Sequence, residues 1–193
     1  MTFDQFLRTP DPADLIVLAL LVCAFGVGYA HGAIRRFLGL IAMTFSFLVA
    51  AAVSDPLGEF LASYWHNMPS SYSSMVAFLV VFAALVFASA IVIHGQYRRV
   101  VLFAEHALLD EFFGGVVGVI EAVAGLTFLM IILDRGFQFD TLQARGALPE
   151  FHNLWASLTL SVTGSLLHST TIPTFLRVAW VVLPDTVRDL YRR

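Results

Sequence analysis

Lysine is missing from the 193 residues, and all eleven basic side chains are arginine. That removes any phosphate-binding loop of the GxxxxGK[ST] type and any Schiff-base chemistry. Cys23 is the single cysteine, so neither an intrachain disulfide nor a CxxC metal or redox site is available. Charge is also scarce: only 13% of residues are Asp, Glu, Lys or Arg, about half the share expected of a soluble domain. A net charge of −3 gives no electrostatic footprint for nucleic acid, and no nucleic-acid partner is expected. HExxH, GxSxG and paired carboxylates on one intramembrane helix face are absent as well, so no catalytic, cofactor or metal-binding residues are assigned and no enzyme is expected.

Apolar residues dominate what remains. The chain is 59% hydrophobic, contains 18 Phe and has a mean hydropathy of +0.82, more apolar surface than water tolerates. Its solvent is therefore expected to be a lipid bilayer. The apolar stretch from Leu15 to Phe25 follows Asp4, Asp11 and Asp14 with only Arg8 to offset them, unlike the positive start of an export signal. This segment is expected to stay in the mature protein.

Four runs satisfy the length rule for a spanning helix, at about residues 15–30, 37–53, 75–93 and 112–133. The fold class predicted is all-α: a polytopic membrane protein with a four-helix transmembrane domain over residues 1–135 and an amphipathic, interfacial helical tail over 136–193. Arg35 and Arg36 join the first two spans, and Arg98 and Arg99 follow the third. The segment from Ser54 to Ser74 has no arginine but has Pro56, Pro69 and several serines, which read as an external loop. Both termini are then predicted outside, with no fifth crossing. In the tail, Leu154, Leu158, Val162 and Leu166 recur four apart, the stripe of a helix lying in the interface, with Trp155 and Trp180 suited to that depth.

Helices in lipid associate through close packing, so small residues at helical spacing mark expected contact faces. Gly114, Gly118, Ala122 and Gly125 form such a stripe on the fourth span; Ala19, Cys23, Gly26 and Ala30 form one on the first, and Ala84 with Ala88 a shorter one on the third. Glu121 shares the fourth stripe and has no basic residue opposite it within the four expected spans. It reads as a protonated intramembrane acid, with Ser46 or Ser89 as hydrogen-bond partner, or as a proton or ion site. His31, His94 and His106 all fall near the arginine-rich surface. Two corners share a pattern, His31-Gly32-Ala33-Ile34-Arg35-Arg36 and His94-Gly95-Gln96-Tyr97-Arg98-Arg99, 63 residues apart. It reads either as a parallel repeat of helical hairpins or as the independent outcome of glycine ending a helix and arginine marking the inside.

The layout resembles the colicin V production protein family of bacterial inner-membrane proteins. The resemblance rests on Asp14 opening the first span before Leu15-Ile16-Val17, and on Gly32 and Arg35 preceding a span with Phe47-Leu48-Val49-Ala50. It also rests on Leu109-Asp110 before Gly114 and Gly118, and on Trp155, Ser157 and Pro184 in the tail. The chain departs from the family pattern where His31-Gly32 replaces Arg-Gly, where Asp110-Glu111 replaces Asp-Arg, and where Ile120-Glu121-Ala122 replaces Leu-Arg-Gly. The resemblance implies a non-enzymatic inner-membrane helper in toxin export and envelope maintenance. Its expected partners are membrane or envelope proteins, or a second copy of itself. The alternative is a small transporter or channel that uses Glu121.

Overall fold

The structure, a computed structural model, is described over residues 11–64, 70–96, 107–137, 149–180, 183, 187–188 and 191. Helix α1 (Pro12–His31) starts where Asp11 accepts a hydrogen bond from the Ala13 N–H at 3.0 Å, with Pro12 in the first turn, where a missing N–H costs nothing. It stops at Gly32, whose φ of +79° is the only positive one among the described residues and whose N–H donates back to the Gly28 carbonyl. Helices α2 (Ala33–Tyr64), α3 (Ser70–Gln96) and α4 (Ala107–Phe137) follow. All four are long and apolar enough to cross a membrane. Every described regular element is helical, so the fold is all-α.

The second span is longer than its apolar run suggests. Helix α2 covers 32 residues, about 48 Å at 1.5 Å per residue against a hydrocarbon core of about 30 Å, and it passes through Pro56. Most of the expected external loop from Ser54 to Ser74 is therefore helix. Pro56 forfeits one backbone hydrogen bond, but Gly58 abuts Ser74 so closely that an added Cβ would lie 2.4 Å from its hydroxyl oxygen. Packing against α3 thus holds α2 past the proline.

Contacts along the helices fix their directions. Gly28 meets Gly114 and Ala24 meets Gly118, so α1 runs antiparallel to α4. Gly39 meets Glu121, Gly125 meets Met43, and Ser54 meets Arg135, so α2 runs parallel to α4. Helix α3 returns antiparallel beside α2. At mid-bundle Phe47 and Phe128, both buried, stack with ring centroids 4.4 Å apart, and Phe78, Phe82 and Phe175 surround them. Large apolar side chains on the outer faces of α1 and α3, including Ile16, Val22, Phe87 and Ile91, remain exposed, as lipid-facing residues should.

The tail is helical, as expected, but in several segments. It comprises α5 (Pro149–Leu160), α6 (Val162–Leu166), a π-helical turn (Leu167–Thr171) and α7 (Ile172–Ala179). The helical path breaks at Ser161, whose hydroxyl caps α6 by accepting from the Gly164 N–H at 3.0 Å. The expected four-apart stripe splits there: Leu158 is buried, but Leu154 and Leu166 are exposed, and Leu167, Ile172 and Leu176 face the core instead. Phe175 reaches the Phe47–Phe128 stack, so the tail docks into the bundle as well as against its end.

Candidate functional site

Polar groups gather at both ends of the bundle. At the end where α1 gives way to α2, a small cleft is lined by residues of all four long helices, among them His31, Arg36, Gly39, Ser89, His94 and Glu121. Arg36 Nη1 donates to Glu121 Oε2 at 2.8 Å, and both side chains are about one-fifth exposed (21% and 22%). The expectation that Glu121 has no basic partner is corrected: α2 begins at Ala33, so Arg36 lies within its first two turns and not in a connecting loop. Gly39, three residues further on, leaves the space the carboxylate occupies, because a Cβ there would lie 2.7 Å from Glu121 Oε1. The proposed hydroxyl partners turn elsewhere: Ser46 donates to Ala42 O at 2.7 Å and Ser89 to Val86 O at 2.9 Å.

On its other side the Arg36–Glu121 pair borders an open groove between α1 and α2, floored by Gly118, Ala122 and Gly125 of α4. The groove exists because α1 leans on α4 and barely touches α2. That lean is permitted by glycine. A Cβ on Gly114 would lie 2.5 Å from Gly28 O, one on Gly118 the same distance from Ala24 O, and one on Gly28 2.3 Å from Gly114 O. Gly125 has only ordinary contact with Met43. On α1 the expected stripe of Ala19, Cys23, Gly26 and Ala30 points outward, and nothing lies within 4 Å of a Cβ added to Gly26. The contact face carries Val17, Ala24 and Gly28, because the tail and α4 claim the side on which Asp14 lies. Ala84 and Ala88 of α3 are likewise exposed. Arg35 lines the cleft beside Arg36, whereas Arg98, Arg99 and His106 lie outside the described residues.

The opposite end is built on two acids. Asp134, 1% exposed, accepts from the Trp155 indole N–H at 2.8 Å and from the Tyr191 hydroxyl at 2.6 Å, and His168 Nε2 lies 3.7 Å from the same carboxylate. Burial first, and then the adjacent charge and hydrogen bond, push the Tyr191 phenol well above its ordinary pKa, so it stays a donor at neutral pH. Asp14, also buried, accepts from the Val162 N–H at 3.1 Å, the Thr163 N–H at 2.9 Å and the Thr163 hydroxyl at 2.6 Å. It therefore satisfies backbone donors at the start of α6 that would otherwise be orphaned. Trp155, which the sequence suits to the membrane interface, uses its indole N–H to hold this carboxylate. Nearby, Arg135 bonds Ser54 at 2.8 Å and Asp55, and lies 6.0 Å from the centre of the Phe78 ring. Among the described residues no three His, Cys, Asp or Glu side chains form a metal-binding group.

A four-helix membrane bundle with a docked helical tail is thus the class that fold and polar sites define. The family profile described as Colicin V production protein matches residues 13–178, nearly the whole chain, and the chain belongs to that family. No curated protein and no solved structure matches it.

Proposed function

We propose that the chain is a non-enzymatic helper of the bacterial inner membrane that serves peptide-toxin export and envelope maintenance by binding partner proteins. Family membership over residues 13–178 is the observation that carries this reading. The use of the polar groups supports it: Asp14 and Asp134 hold the tail, and Glu121 joins α4 to Arg36 of α2. In this reading the two arginines of the first corner stay on the cytoplasmic side. The docked tail then lies at the outer face, where envelope partners are met.

Deletion of the gene in its host should lower secretion of a peptide toxin and weaken the envelope, and crosslinking in native membranes should recover a defined membrane or envelope protein. Complementation by Glu121→Gln protein that is inserted normally should restore both phenotypes. The transporter reading draws on the cleft and groove that flank Glu121. It predicts ion or solute flux in proteoliposomes that the same variant abolishes, and such flux would overturn the helper assignment.

A further inference from the structure

The histidines of the two His-Gly corners, 63 residues apart in sequence, meet in space. His31 at the end of α1 and His94 in the last turn of α3 have ring centroids 5.4 Å apart, at the mouth of the cleft that Glu121 also lines. Each ring is held by the helix that carries it: His31 Nδ1 lies 2.6 Å from Val27 O and His94 Nδ1 2.9 Å from Ala90 O. A carbonyl only accepts, so both Nδ1 atoms carry the proton, and in the neutral ring Nε2 is left with a lone pair. This tautomer, fixed by an N–H to a backbone carbonyl, is the usual condition of a metal-ligating histidine.

We propose that His31 and His94 form a two-histidine site for a borderline divalent transition metal of the zinc class, with water or a cleft ligand completing the coordination. The spacing suits it. Two imidazoles bound through nitrogen at about 2.0–2.1 Å to one tetrahedral ion have ring centroids roughly 5 Å apart. Both residues occupy C-terminal turns, where the helix macrodipole favours a cation, and Glu121 at 2.8 Å offsets the charge of Arg36, with Arg35 the other arginine that lines the cleft. An anion is disfavoured, because a neutral Nε2 offers it no proton. Bound metal would clamp the ends of α1 and α3, which otherwise share few contacts, across the mouth of the cleft.

The test uses full-length protein without a histidine tag, in nanodiscs of zwitterionic lipid, titrated with Co2+ and then Zn2+. About one Co2+ per chain should bind with the visible absorption of tetrahedral coordination and be displaced by Zn2+. His31→Gln and His94→Gln should each weaken binding by more than the roughly 10–100-fold that even loss of an outer-shell partner costs, while melting normally without metal. His152→Gln, at the opposite end of the bundle, should leave binding intact. Failure of the wild-type chain to bind Co2+ or Zn2+ would overturn the site, as would unchanged affinity in either cleft variant or a loss of binding confined to His152→Gln. A variant that fails to fold leaves the wild-type Co2+ spectrum to decide, because absorption without tetrahedral character also overturns the site.

Discussion

Glu121 and Asp134 are both acids of α4, 13 residues apart, and they are handled in opposite ways. Glu121 has a charged partner, is about one-fifth exposed and borders open space on two sides. Asp134 is sealed, and its hydrogen-bond donors are the neutral groups of Trp155 and Tyr191. A carboxylate that retains solvent access and a basic partner can be changed at modest cost. One that is fully enclosed gathers donors from distant parts of the chain, and their placement depends on it. In this bundle the sealed acid therefore organises the tail, while the open one lies where ligands can approach.

Breaking that contrast should have its largest effect at Asp134. Asp134→Ala would strand the Trp155 and Tyr191 donors, and each buried unsatisfied group costs about 1–3 kcal/mol, so a loss of roughly 2–6 kcal/mol is expected. Limited proteolysis in detergent should then cut the tail in the variant before the four long helices are attacked. Simultaneous loss of tail and bundle would mean that the two fold as one unit.

Next in size is the close approach of α1 to α4. Gly118→Leu forces a side chain against Ala24 O and should destabilise by about 1–3 kcal/mol or more, the usual cost of overpacking. Gly26→Leu, on the outward face of the same crossing, should leave thermal stability in detergent nearly unchanged. Equal effects of the two substitutions would mean that α1 is rotated from the orientation described above.

The difference between these glycines explains what sequence could convey. Length and hydropathy reveal the four spans because a bilayer imposes them on any chain. The spacing of Gly114 and Gly118 reveals a contact face on α4, but Ala19, Cys23 and Gly26 share that kind of spacing on α1 and face outward. Small residues permit contact without compelling it, and only the fold decides which stripe is used. The second apolar run begins at Phe37 but α2 begins at Ala33, so hydropathy alone leaves Arg36 in a connecting corner and hides it from Glu121. Asp134 could have been noticed as an acid at the end of the run Met130-Ile131-Ile132-Leu133. Its donors, 21 and 57 residues away in the tail, leave no pattern that could have named them.

Glu121 supplies a smaller effect. Glu121→Gln keeps the shape but removes the charge opposite Arg36, and hydrogen bonds to charged groups contribute about 1.5–3 kcal/mol. Partial solvent access lowers the expected loss to about 1 kcal/mol. Arg36→Gln combined with Glu121→Gln should recover part of it, and a double-mutant cycle in thermal stability measures the coupling. A coupling of zero would mean that the two charges do not interact in the membrane.

An effect of similar size is expected at Tyr191, whose hydroxyl is one of the two neutral donors to Asp134. Tyr191→Phe keeps the ring and Trp155 keeps one carboxylate oxygen occupied, so the loss should be about 1 kcal/mol, near the net worth of a single hydrogen bond. The pH dependence separates this bond from the packing of the ring. Because burial and Asp134 raise the phenol pKa in the folded chain, the contribution is fully present below the unfolded value of about 10 and declines as pH rises from there through the folded value. Protease protection of the wild-type tail should therefore be flat across neutral pH and fall above about pH 10. In Tyr191→Phe it should start lower and show no such alkaline step. A step retained in the Phe variant would assign the alkaline loss to another group and leave the Tyr191–Asp134 bond without a measurable share in holding the tail.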